Sequence, residues 1–240
     1  MLFIDGEREE EEEEEPWIEE AVGQHVFHLR TAEDDFNADK KTLFATMVWS
    51  GARCMARHLL ETAPHAVAGK SIVELGAGAG LPALMCARLG ANTVVVTDYP
   101  APTVIANLIG NVQRNAADTP ALSVAMHVAG FRWGDDPTPV LALNGGAAFD
   151  VAVCSECLWK ADTHPMLAQS LANLLVHGGV AYVGFSHHHP GREGIDLTFF
   201  DRAAADHGLE TMRKHTLTAP YMWATETRDV PFFIYELRRR

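Results

Sequence analysis

Ser71-Ile72-Val73-Glu74-Leu75-Gly76-Ala77-Gly78-Ala79-Gly80-Leu81 decides the fold class of this 240-residue chain. A short apolar run enters a turn in which every second residue is glycine, and Leu81 to Leu89 then reads as a helix that stops at Gly90. The order is strand, glycine turn, helix. A second unit follows at once: Thr93 to Thr97 is a β-branched run that ends at Asp98, and Pro102 to Asn115 reads as a helix with proline in its first turn.

Outward from these two units the alternation continues. Strands are expected over Leu122 to Val128, Phe149 to Ser155 and Val180 to Ser186, and helices over His164 to Val176 and about Ile195 to His207. Glu210 to Leu217 and Val230 to Leu237 are strand candidates with no helix between them, so they close the sheet as an antiparallel pair. The expected fold is α/β: a Rossmann-like seven-stranded sheet, mostly parallel, with an antiparallel closing strand pair and helices on both faces. Upstream, Leu43, Met47, Ala52, Met55, Ala56, Leu59 and Leu60 recur at helical spacing, which predicts a leading helix over Thr42 to Leu60.

Composition sets the outer limits. At 48% hydrophobic and 21% charged residues, the chain can bury one sizeable core. The net charge is -13, but Glu7 and the run Glu9 to Glu15 hold eight of the acids. Residues 1–20 are therefore expected to be an acidic disordered tail, and 21–240 a single domain with an N-terminal helical extension. Without those eight glutamates and Arg8, 24 acidic and 18 basic residues leave -6, too little clustered positive charge for a phosphate-dominated nucleic-acid partner. No apolar run approaches the ~18 residues that cross a bilayer, and no leader is readable. Cys54, Cys86, Cys154 and Cys157 lie in apolar segments and do not form a disulfide framework. A cytoplasmic monomer is expected.

The glycine turn names a class of ligand. Gly76, Gly78 and Gly80 let a ligand approach the backbone at the carboxyl ends of the strands. A dinucleotide fingerprint would place a final glycine where Leu81 stands, and Glu74 in front of the turn would repel a pyrophosphate. S-adenosylmethionine, with a sulfonium and an ammonium, suits a neighbouring acid. Asp98, at the end of the next strand, can accept both ribose hydroxyls.

With those residues in place, the chain resembles the seven-β-strand, Rossmann-like methyltransferases and, within them, the family-16 group, over about Leu43 to Leu237. The pieces that carry the resemblance are Val48-Trp49, Ile72 to Gly78, Thr97-Asp98-Tyr99-Pro100, Arg132-Trp133-Gly134 and Ser155-Glu156-Cys157-Leu158-Trp159. Ser186-His187-His188-His189-Pro190 and Asp196-Leu197-Thr198-Phe199-Phe200 look most like the nicotinamide N-methyltransferase-like branch. Yeast-type members of that branch methylate the N-terminus and an adjacent lysine of translation elongation factor 1-alpha.

The resemblance implies S-adenosylmethionine as cofactor and S-adenosylhomocysteine as product. It implies a cofactor-binding set of Trp49 at the methionine end, Glu74, Gly76, Ala77 and Gly78 in the turn, Asp98 and Tyr99 at the ribose, Trp133 on the adenine and Ser155 on the pocket floor. The family's substrate-side motif is an acid followed three residues later by an aromatic, usually Asp and Tyr or Phe; here it reads Glu156 and Trp159, the expected catalytic pair. The implied partner is a protein substrate such as elongation factor 1-alpha. A pyridine such as nicotinamide, or a cofactor-binding module without catalysis, would share the same fold.

Two further signals are weaker. Cys154 and Cys157 form a C-x-x-C spacing without a second pair to complete a zinc site. Among His187, His188 and His189, alternation along a strand lets at most two converge, with one expected to line the acceptor pocket. Tyr221, Trp223 and Trp17 are candidates for shaping its entry.

Overall fold

The computed structural model describes residues 17–32, 46–117, 125–188, 191, 193–220 and 228–240. In chain order the elements are β1 (Ile18–Val22), β2 (His25–Leu29), α1 (Ser50–Glu61), α2 (Pro64–Val67), β3 (Ser71–Leu75), α3 (Leu81–Arg88), β4 (Thr93–Asp98) and α4 (Pro102–Ala117). They continue with β5 (Ala125–Gly130), α5 (Thr138–Ala142), β6 (Phe149–Ser155), a 3-10 turn (Ala161–Thr163), α6 (His164–Leu174), β7 (Leu175–Phe185), α7 (Glu193–His207), β8 (Leu209–Pro220) and β9 (Asp229–Arg239).

β3 to β9 form one sheet in the order β5-β4-β3-β6-β7-β9-β8. β5, β4, β3, β6 and β7 pair in parallel, and β9 is antiparallel to both β7 and β8. This is the expected Rossmann-like arrangement. Parallel strands covered on both faces must be apolar on both, which explains the unbroken Val94-Val95-Val96 and Ile72-Val73 runs. Alternation sends Ile72, Val94, Val96, Val151 and Val153 into the core with α1 and α3. Val73, Leu75, Val95, Ala152 and Cys154 enter the opposite core with α6 and α7. Glu74 shares the face of Ile72 and so lies under α3. Among the described residues no helix is long and apolar enough to cross a membrane.

Three local expectations need correction. The segment expected as tail includes Trp17 to Glu20, yet Ile18–Val22 pairs antiparallel with His25–Leu29 around a turn whose Gly23 has φ +58°. This hairpin is held from α4, where Asn115 accepts from the His28 N–H at 3.1 Å and donates to the His28 carbonyl at 2.7 Å. Asn111 treats Arg30 the same way at 2.8 and 2.9 Å, so two asparagines one helical turn apart substitute for a strand partner. Second, Thr42 to Ala45 of the expected leading helix lie outside the described residues, and α1 begins only at Ser50. Third, Gly178-Gly179 does not separate helix from strand. β7 starts at Leu175, directly after α6, and passes through both glycines with a register shift against β6.

Candidate active site

The site lies at the carboxyl ends of β3, β4, β6 and β7, where successive parallel strands deliver their last residues to one crevice. Gly76, Gly78 and Gly80 have φ of +66°, +57° and +80°, the left-handed region that side chains disfavour. Their surroundings differ. A Cβ on Gly76 would meet Cys157 Sγ at 2.9 Å and Trp133 Cζ2 at 3.1 Å, so glycine is what lets the Trp133 ring lie against the turn. A Cβ on Gly78 would meet nothing described within 4 Å, and Gly78 lines the crevice.

Asp98 fixes the turn from the next strand. Its Oδ2 accepts the Gly78 N–H at 2.7 Å and its Oδ1 the Tyr99 N–H at 2.6 Å. Each carboxylate oxygen keeps a further lone pair. Burial pushes the Asp98 carboxyl up, against the lowering effect of these two hydrogen bonds.

Glu74 is 1% exposed, and its Oε2 accepts the Ala83 N–H at 2.9 Å. Ala83 lies in the first turn of α3, whose N-cap Gly80 offers no side-chain acceptor, so Glu74 caps that helix from the neighbouring strand. Burial pushes its carboxyl well above the usual range; the Ala83 bond opposes this and the Asp98 charge adds to it. A carboxyl raised on folding gives stability below its unfolded pKa that is lost as pH rises through the folded pKa. Glu74→Gln keeps an acceptor and never ionises, so at pH 8 it should melt at or above the parent temperature. Glu74→Ala orphans the Ala83 N–H and should lose about 1–3 kcal/mol in a denaturant titration.

Farther along, Ser155 ends β6 with a buried Oγ that has no hydrogen-bond partner among the described residues. Glu156 follows with φ +58°, the one non-glycine positive φ among the described residues. Its N–H donates to the Gly184 carbonyl at 2.8 Å. Its Oε1 accepts from Ser186 Oγ at 2.8 Å, and its Oε2 from the Ser186 N–H at 3.1 Å. His188 Nε2 lies 2.8 Å from the same Oε2. Trp49, just ahead of α1, meets the His188 ring edge-on with centroids 6.3 Å apart. Trp159, on the loop after β6, is 36% exposed.

One cleft of about 690 Å³ joins these groups. Trp49, Glu74, Gly76, Ala77, Gly78, Asp98, Tyr99, Trp133, Ser155, Glu156 and Trp159 all line it. His188 lines it too, whereas His187 turns away to Asp196 Oδ2 at 2.8 Å, as alternation requires. The sequence offers a histidine triplet but no sign of which member faces inward; His189, Tyr221 and Trp223 lie outside the described residues. Trp17 is placed elsewhere, stacked under the Arg30 guanidinium at 4.2 Å. Cys157 is buried, with Sγ directed at the Leu75 and Ser155 carbonyls, and its contact with Cys154 and burial push its thiol up. That C-x-x-C pair is core.

The profile of the family described as lysine methyltransferase matches residues 31–206. The chain belongs to the lysine methyltransferase family. It is similar to the protein N-terminal and lysine N-methyltransferase EFM7 of Yarrowia lipolytica, 34% identical over 184 residues, which cover 72% of this chain and 67% of the relative. The Aspergillus fumigatus relative of the same name is 34% identical over 67% of this chain and 63% of its own length. That of Emericella nidulans is 31% identical over 82% and 80%. The chain thus spans about two thirds of the first two relatives. Among solved structures, the T. thermophilus 16S rRNA N2 G1207 methyltransferase in complex with AdoMet and guanosine superposes with a TM-score of 0.58 at 19% identity, over 93% of this chain and 50% of that one. M. jannaschii TYW2 in complex with AdoMet gives 0.53 at 13% identity over 94% and 88%. At such identities the likeness speaks for the fold.

As a member of the lysine methyltransferase family, the protein is an S-adenosylmethionine-dependent methyltransferase. The cleft suits that cofactor chemically. It offers a carboxylate with free lone pairs, an orphaned buried hydroxyl, a backbone bared by Gly78 and an indole wall at Trp133.

Proposed function

We propose that this enzyme methylates amines of a protein substrate, a lysine or an N-terminal amine, with elongation factor 1-alpha as acceptor in the cytoplasm. The observation that carries this reading is the lining of the cleft: one cavity takes in Asp98 and Trp133 together with Glu156 and His188, and Trp159, which also lines it, is exposed. A pyridine asks for a closed aromatic box, whereas an open rim admits a side chain or chain end that remains attached to a protein. The names of the EFM7 relatives, which act on protein N-termini and lysines, support the same class of acceptor.

When bound, S-adenosylmethionine supplies a methyl group that its sulfonium has already activated, so positioning and exclusion of water carry most of the rate. In this reading Asp98 holds the ribose hydroxyls, Trp133 packs on the adenine, Trp49 borders the methionine end and Ser155 Oγ donates from the floor. An incoming lysine has a reference pKa of about 10.4 and must give up a proton before attack. Glu156 accepts a hydrogen bond from the amine, and His188, at 2.8 Å, is placed to share its proton. Trp159 forms one wall of the entry, with a cation-π attraction of about 1 kcal/mol for the approaching ammonium.

The test is to incubate the enzyme with labelled S-adenosylmethionine and a lysate of cells lacking it. The expected result is one labelled protein band that mass spectrometry assigns to the N-terminal residues of elongation factor 1-alpha. Label confined to small molecules would contradict the proposal.

A further inference from the structure

At the other end of α1 from Trp49, a second group of polar side chains is assembled away from the methyl-transfer cleft. His58 projects from α1 nine residues beyond Trp49, about 13 Å along the helix axis. There it meets His215 of β8 and Glu236 of β9. One ligating atom from each of the three lies within 4.8 Å of the other two. His215 Nε2 is 2.7 Å from Glu236 Oε1, and the His58 and His215 rings lie 4.6 Å apart, tilted by 57°.

His58 is the anomaly in this group. It is 2% exposed, and its Nε2 is shut off from solvent with no hydrogen-bond partner among the described residues. A buried polar nitrogen left unsatisfied is costly, and native cores rarely leave one so. His215 and Glu236 are only partly buried, so the group can be reached from outside. We propose that His58, His215 and Glu236 bind one zinc-class divalent ion that pins α1 to the β8–β9 hairpin.

The donor set fits that ion class. Two imidazoles and a carboxylate are borderline-soft nitrogen and hard oxygen ligands of the kind zinc accepts, with the fourth position left to water. Ligands at 2.0–2.2 Å from a tetrahedral ion stand about 3.3 Å apart. His215 and Glu236 therefore separate by roughly half an ångström when the ion enters, while the His58 ligand atom already lies within 4.8 Å of both. The second carboxylate oxygen of Glu236 stays free to face Arg213, whose Nη1 is 3.9 Å away on an exposed side chain. Because the three ligands come from α1, β8 and β9, the ion would join segments about 160 residues or more apart in the chain, a cross-link that constrains only the folded state.

The experiment uses the full chain, stripped with a chelator and desalted, and titrated with Zn²⁺ against a chromophoric competitor. His215→Gln and Glu236→Gln are measured beside it; both alter part-exposed side chains on the edge hairpin, and circular dichroism establishes that each remains folded. The proposal expects one equivalent bound by the parent with a Kd below about 1 μM, and at least about a 100-fold loss of affinity in each variant. It also expects a Zn²⁺-dependent rise in melting temperature that the variants lack. Parent binding weaker than about 1 μM, or equal affinity in parent and both variants, would overturn it.

Discussion

Asp98→Asn is expected to weaken S-adenosylmethionine binding by at least about 100-fold while leaving the fold intact. The wild-type carboxylate already accepts the Gly78 and Tyr99 N–H groups at 2.7 and 2.6 Å, so the turn is set before any ligand arrives. In the proposed site the remaining lone pairs are those offered to the ribose hydroxyls. A hydrogen bond to a charged acceptor contributes about 1.5–3 kcal/mol, and two of them account for a loss of this size. The amide has one acceptor oxygen, and its NH₂ must oppose one of two backbone donors, so the turn also loses a support. Because burial raises the Asp98 carboxyl, wild-type affinity should fall as pH is lowered through that pKa, earlier than an ordinary carboxylate would set. The asparagine variant, which has nothing to protonate, should show no such fall. Calorimetric titration of both proteins across pH measures each effect.

Glu156→Gln should lower the methyl-transfer rate at least about tenfold while S-adenosylmethionine binding stays within about threefold of wild type. Glu156 is held in the left-handed region, a conformation that costs a non-glycine residue about 1 kcal/mol and persists where the surroundings enforce it. Here the Gly184 carbonyl, the Ser186 N–H and hydroxyl, and His188 all act on it. Such a carboxylate is aimed, and glutamine cannot reproduce it: an NH₂ in place of Oε2 would face the Ser186 N–H and the His188 ring, and one in place of Oε1 would turn the Ser186 hydroxyl from donor to acceptor. Calorimetry beside a tritium-transfer assay separates binding from chemistry. Equal losses in both would mean that Glu156 is structural.

The parts of the fold that were legible are those whose signal is local. β3 and β6 fall on the expected residues because a strand buried on both faces is apolar throughout, and the turn behind β3 is announced by its glycines. The β1–β2 hairpin was not legible. Its strands carry Glu19 and Glu20 next to a glutamate run, and its stability comes from Asn111 and Asn115, more than 80 residues away, and from the Arg53–Glu20 ion pair. Asparagines within a helix give no hint that they will serve a strand edge. The start of β7 is not legible because a Gly-Gly pair reads as a turn when nothing nearby reports that β6 will accept it with a register shift.

The site divides the same way. Asp98 is legible because parallel strands bring their carboxyl ends to one crevice, so position in the chain already implies proximity, whereas Ser155 and Glu156 are singled out by the family resemblance. What Glu74 does there was not legible. An acid ahead of a glycine turn suggests a cationic ligand, yet its nearest partner is the Ala83 N–H of the following helix. His188 and the His58–His215–Glu236 group depend on which way a side chain turns and on contacts across the sheet, and neither leaves a trace in spacing.

The most direct measurement of the central claim, that the cleft between the glycine turn and Glu156 is the cofactor site, is a crystal structure with S-adenosylhomocysteine. The ribose hydroxyls are expected within hydrogen-bonding distance of Asp98, the adenine against Trp133, and the sulfur directed toward Glu156 and Trp159. Product bound elsewhere, or bound here with its ribose away from Asp98, would contradict it.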